Sequence, residues 1–191
     1  MGNIVTLTGP SGAGKTTLAG ALFNFYLCLY PNAFRLLISQ TTRPPRTEGS
    51  RKDLPGEYNC ISKAEFERIL AEDKFLWHIF VHGNWYGTMR QSVDEAMRAA
   101  YVSIAVLTIE AVETLWQYTG GKITPIFIQR PEPLIEESLR GKESPEFIAK
   151  RMVECRGWFQ RAKNSVVPFR YIQNDGTVPE LVHNFFEQYQ K

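Results

Sequence analysis

A chain of 191 residues that is 43% hydrophobic can bury one full core and carry small appendages besides. Its formal net charge of +2 is too slight to single out nucleic acid as a partner, and its three scattered cysteines, Cys28, Cys60 and Cys155, read as reduced thiols in a cytoplasmic setting. No apolar run reaches the ~18 residues of a membrane span, so no membrane partner is expected.

The apolar run Ile4-Val5-Thr6-Leu7-Thr8 predicts a first strand, and residues 17–30 predict a helix. Between them stands Gly9-Pro10-Ser11-Gly12-Ala13-Gly14-Lys15-Thr16, which fits G-x-x-x-x-G-K-[ST] with a strand before it and a helix after, as that motif requires. Glycines let successive backbone N–H groups turn inward around an anion, and the helix start adds its dipole and free donors. The stretch therefore predicts a nucleoside triphosphate site built from Ser11, Gly12, Ala13, Gly14, Lys15, Thr16 and Thr17. Lys15 would place a cation on the β- and γ-phosphates, and Thr16 would offer its hydroxyl to the Mg²⁺ that accompanies ATP.

Pro31-Asn32 then stops the chain, residues 34–38 read as a second strand, and Ser62-Lys63-Ala64-Glu65 is a capping box that opens a helix to about Glu72. Residues 75–81 form an aromatic strand with Gly83-Asn84 as its turn, and residues 89–100 a helix. Residues 101–108 are nearly all apolar, as befits a central parallel strand. A helix over 109–119 ends at Gly120-Gly121, and residues 123–128 make another strand. Pro133 and Pro145 each look like first-turn prolines of helices, with the charged residues 139–144 between. Tyr171-Ile172-Gln173 is a last strand, Asn174-Asp175-Gly176 a turn, and residues 178–190 a closing helix. This alternation predicts an α/β fold, a parallel sheet with helices on both faces.

The acceptor of a transferred group has to be read elsewhere, from Ser39-Gln40-Thr41-Thr42-Arg43-Pro44-Pro45-Arg46 onward. Arg43 and Arg46, on a Pro-stiffened loop, can converge on one phosphate, each with a planar fork of donors. Tyr58 and Tyr86 add hydroxyls. Taken singly these are a solvated loop and half-buried rings; beside a triphosphate site they read as a second anion cradle.

Together these pieces resemble the guanylate kinase family. The likeness runs from Asn3 to the last helix and is carried by residues 9–17, 39–46, Tyr58-Asn59 through Ser62 and Phe66, Gly83-Asn84-Trp85-Tyr86-Gly87-Thr88, Ile148-Ala149-Lys150-Arg151-Met152 and Asn174-Asp175. The resemblance implies one domain over 1–191, a P-loop three-layer fold with a central parallel sheet. Its core would be 1–38, 88–132 and 153–191, its acceptor-binding region 39–87 and its helical lid 133–152. It implies Ser39, Arg43, Arg46, Tyr58 and Tyr86 at the acceptor's phosphate, Asn174 near the adenine of ATP, and Arg140, Lys142 and Arg151 as lid cations over the phosphates in transit. Such cations have a physical rationale, because phosphoryl transfer relies on charge stabilisation and on a closed, dry cleft. The implied activity is transfer of the ATP γ-phosphoryl to the 5′-phosphate of a nucleotide, GMP or dGMP by default, in a monomer or homodimer.

The chain departs from the family pattern in its base pocket. Aligned without a gap from Tyr58 to Thr88, the guanine-reading glutamate falls on Trp77, and the paired acids at the end of the central strand fall on Val106 and Thr108. An indole and a hydroxyl do not replace carboxylates as acceptors for guanine N–H groups, and only Thr88 keeps the pocket's hydroxyl character. Sites that hydrogen-bond their substrate reject unpaired analogues by roughly 10⁴–10⁵, so base selection is expected to change. Trp77 would stack on a base, fill its space, or serve as ordinary core. At Val106 the magnesium water shell loses an acid, with Glu110 either its substitute or simply a first-turn glutamate. The loop over 47–57 runs about three residues longer than the family's, and the lid about two shorter. His78, His82 and His183 have no metal-ligand spacing. Two other readings stay open: a ribose 1,5-bisphosphate phosphokinase, which has no base to read, and a non-catalytic module that binds a phosphorylated protein, against which the intact Lys15 and Thr16 argue.

Overall fold

The computed structural model describes residues 4–29, 33–47, 52–81, 83–140 and 144–190. Five parallel strands form the main sheet: β1 (Ile4–Thr8), β2 (Phe34–Leu36), β7 (Val102–Val106), β8 (Thr124–Gln129) and β9 (Arg170–Gln173), in the order β2-β7-β1-β8-β9. The centre of this sheet is apolar on both faces because helices cover both. Every residue of β1 is buried, Val5 and Leu7 facing one cluster and Ile4 the other. Helices α1 (Lys15–Leu29) and α7 (Val178–Tyr189) cover the first face through Leu18, Leu22, Leu181 and Phe185. Helices α3 (Arg90–Arg98) and α4 (Ile109–Tyr118) cover the second through Val93, Ala96, Val112 and Leu115. The expected three-layer α/β fold is what forms.

A second, four-stranded sheet stands beside it, in the order β4-β3-β6-β5, from β3 (Ser39–Thr41), β4 (Tyr58–Cys60), β5 (Phe75–Val81) and β6 (Asn84–Met89). Helix α2 (Lys63–Ala71) packs on it, with Phe66 stacked on Phe75 at 4.4 Å and on Trp85 at 5.6 Å. Here the structure corrects the sequence reading. The strand expected over 34–38 ends at Leu36, and the Leu37 amide donates to Ile104 O at 2.8 Å just before the chain crosses to the second sheet at Ser39. The strand over 84–89 was hidden by Gly87, whose bare Cα lets Phe75 lie against it; a Cβ there would sit 2.8 Å from the ring. The helix expected from 89 consequently starts at Arg90.

Helix α5 (Glu132–Leu139) and helix α6 (Pro145–Asn164) follow β8, each with proline in its first turn as expected. Ile135 and Leu139 of α5 pack on Met152 and Cys155 of α6. Ser62 caps α2 by accepting from the Glu65 amide at 3.1 Å, but the Glu65 carboxylate turns to Arg68 rather than back to the cap. A full capping box, Thr177 with Glu180, opens α7. Among the described residues no helix is long and apolar enough to cross a membrane, and Cys60 and Cys155 carry free thiols.

Candidate active site

The loop between β1 and α1 wraps as the motif requires. Gly9 and Gly14 have φ of 146° and 100°, a region that costs any side chain dearly. A Cβ on Gly9 would press to 2.7 Å from Ile128 O, and one on Gly14 would collide with the Asn174 amide. Buried Asn174 lies under the loop, its Nδ2 donating to Ala13 O at 2.7 Å, while its own amide donates to Gln129 O at 2.8 Å. It braces the anion cradle from behind. Lys15 reaches back over the loop, its Nζ donating to Gly9 O at 2.8 Å and Pro10 O at 2.7 Å, with the Trp158 ring 5.9 Å away. The residue keeps some surface, but its ammonium is enclosed. Burial pulls its pKa down to about 8, with Cys155 opposing that shift and Arg151 adding to it.

A cleft of about 640 Å³ opens over this loop. One wall is Ser11, Gly12, Gly14, Lys15, Thr16 and Thr17; the facing wall carries Arg46, Asp53, Glu57 and Tyr58; Arg151 and Phe147 of α6 close one side. Arg46 and Tyr58 therefore meet the triphosphate loop across one space. Arg43 does not line it. Its guanidinium is buried in an ion pair with Asp53 at 2.7 Å, also donates to Pro44 O at 2.7 Å, and lies 5.3 Å from the Tyr58 ring centre. Although burial works against it, hydrogen bonding and charge from Asp53, with help from Tyr86, hold that guanidinium above its ordinary pKa. Asp53 also accepts from the Arg46 amide at 2.8 Å, so one carboxylate clamps the Pro-rich loop. Tyr58 and Tyr86 stand edge to face at 5.9 Å. Burial, with Glu57 next, raises the Tyr58 hydroxyl pKa well above normal. Burial also raises Glu57, only partly offset by the Leu54 amide donating at 2.9 Å.

The remaining acceptor-side residues divide. Ser39 and Thr88 share a buried hydroxyl–hydroxyl bond of 2.9 Å. Trp77 is half-buried and packs against the main core cluster. Thr108 is occupied as the N-cap of α4, accepting from the Ala111 amide at 3.4 Å. Val106 does line the cleft, but Glu110 is not among its lining residues and pairs with Arg161 at 3.1 Å on the exposed side of α4. Arg151 and Arg140 differ as well. The Arg151 side chain is 18% exposed and enters the cleft while paired with Glu154 at 2.8 Å; that of Arg140 is 70% exposed, pairs with Glu136 at 2.8 Å and borders an outer groove instead. Lys142 and His82 lie outside the described residues. His183 is exposed and pairs with Glu187 at 3.5 Å, and no group of three His, Cys, Asp or Glu among the described residues is placed to hold a metal. Sequence reasoning passed over Asp53, Glu57 and Arg130. A loop acid directly after Arg51 and Lys52 was the available signal for Asp53; nothing local marked Glu57.

A P-loop at the carboxyl end of the central strand of a five-stranded parallel sheet, sharing a cleft with an arginine and a tyrosine from the second sheet and its loop, defines a P-loop phosphotransferase. The comparisons narrow the class. The chain belongs to the guanylate kinase family, whose model, described as guanylate kinase, matches residues 1–187. It is 33% identical over 158 residues to a guanylate kinase of Neisseria gonorrhoeae, covering 81% of this chain and 73% of that one. It is 35% identical over 135 residues to a guanylate kinase of Chlamydia abortus, covering 70% and 60%. The crystal structure of guanylate kinase from Anaplasma phagocytophilum superposes with a TM-score of 0.67 at 17% identity, over 99% of this chain and 85% of that one, which supports the fold.

Proposed function

We propose that this chain is an ATP-dependent nucleoside monophosphate kinase that moves the γ-phosphoryl of Mg-ATP onto the 5′-phosphate of a nucleotide, with GMP or dGMP as reference acceptor and relaxed selection among bases. The observation that carries the reading is the shared cleft, in which the amide-lined loop and the Arg46–Tyr58 wall face each other. An oxygen of the acceptor phosphate attacks the γ-phosphorus in line, the bond to the β,γ-bridging oxygen breaks, and ADP leaves with that oxygen's charge. Backbone amides of residues 11–17 hold the β-phosphate, and Lys15 leaves the carbonyls of Gly9 and Pro10 for the β- and γ-oxygens. Arg46 and Tyr58 hold the acceptor phosphate, with Arg43, Ser39 and Tyr86 fixing them from behind. Residues 133–152 act as the lid of a core made of 1–38, 88–132 and 153–191, bringing Arg151 inward and, on closure, Arg140 and Lys142.

The site suits Mg²⁺. Thr16 lines the cleft with a hard oxygen at the start of α1, and such an ion keeps most of its shell as water and phosphate oxygens. When bound, it would neutralise charge on the β- and γ-oxygens. Val106 supplies no acid there, so the water shell rests more heavily on the nucleotide. Relaxed base selection is supported by Trp77 and Thr108, both occupied within the protein. The same two residues support a second acceptor, ribose 1,5-bisphosphate. The test is ADP release from Mg-ATP by purified protein against a panel of nucleoside monophosphates with both sugars, plus ribose 1,5-bisphosphate. Turnover with at least one nucleotide is expected. Turnover with ribose 1,5-bisphosphate alone would transfer the assignment, and ATP binding without turnover would leave a phosphoprotein-binding module.

A further inference from the structure

Arg130 follows the last residue of β8, at the carboxyl edge of the parallel sheet where open α/β folds bind their ligands. It lines the cleft together with Ser11, Gly12, Lys15 and Arg151, and its Nε is fully enclosed by protein with no hydrogen-bond partner. Buried donors are nearly always paired, so the protein does not satisfy this guanidinium, and a small shift of its head into the adjoining anion site would give it a partner. The acid next along the chain, Glu132, does not claim it, being paired with Arg156 at 3.1 Å. The backbone on either side is fixed. Gln129 O accepts from the Asn174 amide at 2.8 Å, and Pro131 O accepts from the Leu134 and Ile135 amides at 3.0 and 3.1 Å. Pro131 also confines residue 130 to extended backbone.

We propose that Arg130 is a fixed catalytic cation of the phosphotransfer reaction, donating its guanidinium N–H groups to the γ-phosphoryl oxygens of ATP. The inference rests on the kinase reading above. A planar fork matches two oxygens of one phosphoryl group, and a group in transfer spreads charge over its three equatorial oxygens. Because Arg130 sits on the sheet edge and not on α5 or α6, it meets the γ-phosphate before any closure, so it acts on ATP binding as well as on turnover. ADP, lacking that phosphate, does not engage it. Arg140, exposed at the end of α5, would reach the phosphates only on closure.

The variants are Arg130→Met, which keeps the stem and removes the N–H groups, and Arg130→Lys, which keeps charge but loses the fork. Binding of ATP and of ADP is measured by competition against a fluorescent nucleotide, beside turnover with the best acceptor and the melting temperature. Arg130→Met is expected to weaken ATP by about tenfold or more while leaving ADP within about twofold, and to lower kcat by roughly 10²–10³. Arg130→Lys falls between it and the wild type. Equal weakening of ATP and ADP with a lowered melting temperature would make Arg130 a structural residue, and unchanged binding with kcat within about threefold would make it a mere lining residue; either overturns the proposal. The ATP–ADP difference needs no acceptor. Wild-type protein that shows the difference but turns over no nucleotide would overturn the kinase reading and leave the Arg130 contact standing.

Discussion

Lys15 makes nucleotide binding depend on pH in a way that can be worked out in advance. In the free cleft, burial holds its ammonium at about 8, down from the ordinary 10.5. A triphosphate laid along the loop puts anionic oxygens against that ammonium and restores its preference for the charged form. If binding returns Lys15 to its ordinary value or above, binding near pH 8 takes up about half a proton per ATP, and the dissociation constant rises about tenfold between pH 7 and pH 9. The sign for folding is opposite. Between about 8 and 10.5 the unfolded chain holds the Lys15 proton more tightly than the native one, so this residue's contribution to the stability of the free protein rises with pH over that window. Affinity and stability therefore diverge, which general alkaline denaturation cannot imitate. Isothermal titration at pH 8 in two buffers of different ionisation enthalpy gives the proton count, and the same titrations from pH 7 to 9 give the slope. Lys15→Met should abolish both trends. A dissociation constant flat from pH 7 to 9, or no buffer dependence at pH 8, would show that the ammonium is not held down by burial in the free cleft.

Asp53→Ala leaves the buried Arg43 guanidinium without its partner and frees the Arg46 amide, so a loss of about 3 kcal/mol or more and a raised KM for the acceptor are expected from denaturant melts and kinetics. Asn174→Ala removes the donor under Ala13 O; it should cost about 1–2 kcal/mol and weaken ATP and ADP alike, in contrast to changes at Arg130. Thr108→Asp keeps an N-cap acceptor for α4 and restores a carboxylate near the strand end, so the melting temperature should hold while preference for GMP over other nucleotides rises.

The main sheet was legible because its central strands β1, β7 and β8 are largely buried and read as mostly apolar runs, bounded by glycine, proline and capping residues. The second sheet was not. Its strands β3 and β4 are three residues long, too short for any period to register, and β6 is broken in sequence by Gly87, whose role depends on Phe75 some twelve positions earlier. The triphosphate loop was fully legible, since its chemistry is local. The acceptor wall was legible only by residue type. Two arginines three apart cannot announce that one will be held in the protein by Asp53 while the other borders the cleft. Arg130 was passed over for a related reason: its significance comes from an unpaired Nε, and pairing is a property of space.

The two positions where this chain leaves the family pattern are connected through packing. Leu76 of β5 sits in the main core cluster with Ile109, Ala111 and Val112 of α4, and the adjacent Trp77 packs against it, so the acceptor sheet is anchored to the helix that Thr108 caps. A charged base reader at 77 would have to stand where this half-buried indole packs on the core, and an acid at 108 would read the base without a second carboxylate from β5. Restoring guanine selection through Trp77→Glu therefore carries a packing cost that Thr108→Asp does not. What remains near the pocket is the Ser39–Thr88 hydroxyl pair, in which either oxygen can donate. Hydroxyls rotate to meet a donor or an acceptor, whereas a carboxylate meets donors only. A pocket read by such a pair should compress the ratio of kcat/KM between GMP and other purine monophosphates to within about 10², against the roughly 10⁴–10⁵ available to a site that leaves wrong substrates unpaired. Discrimination in that upper range in the unmodified protein would mean that a carboxylate does read the base, and Glu57, half-buried at the cleft wall, would be the first residue to substitute.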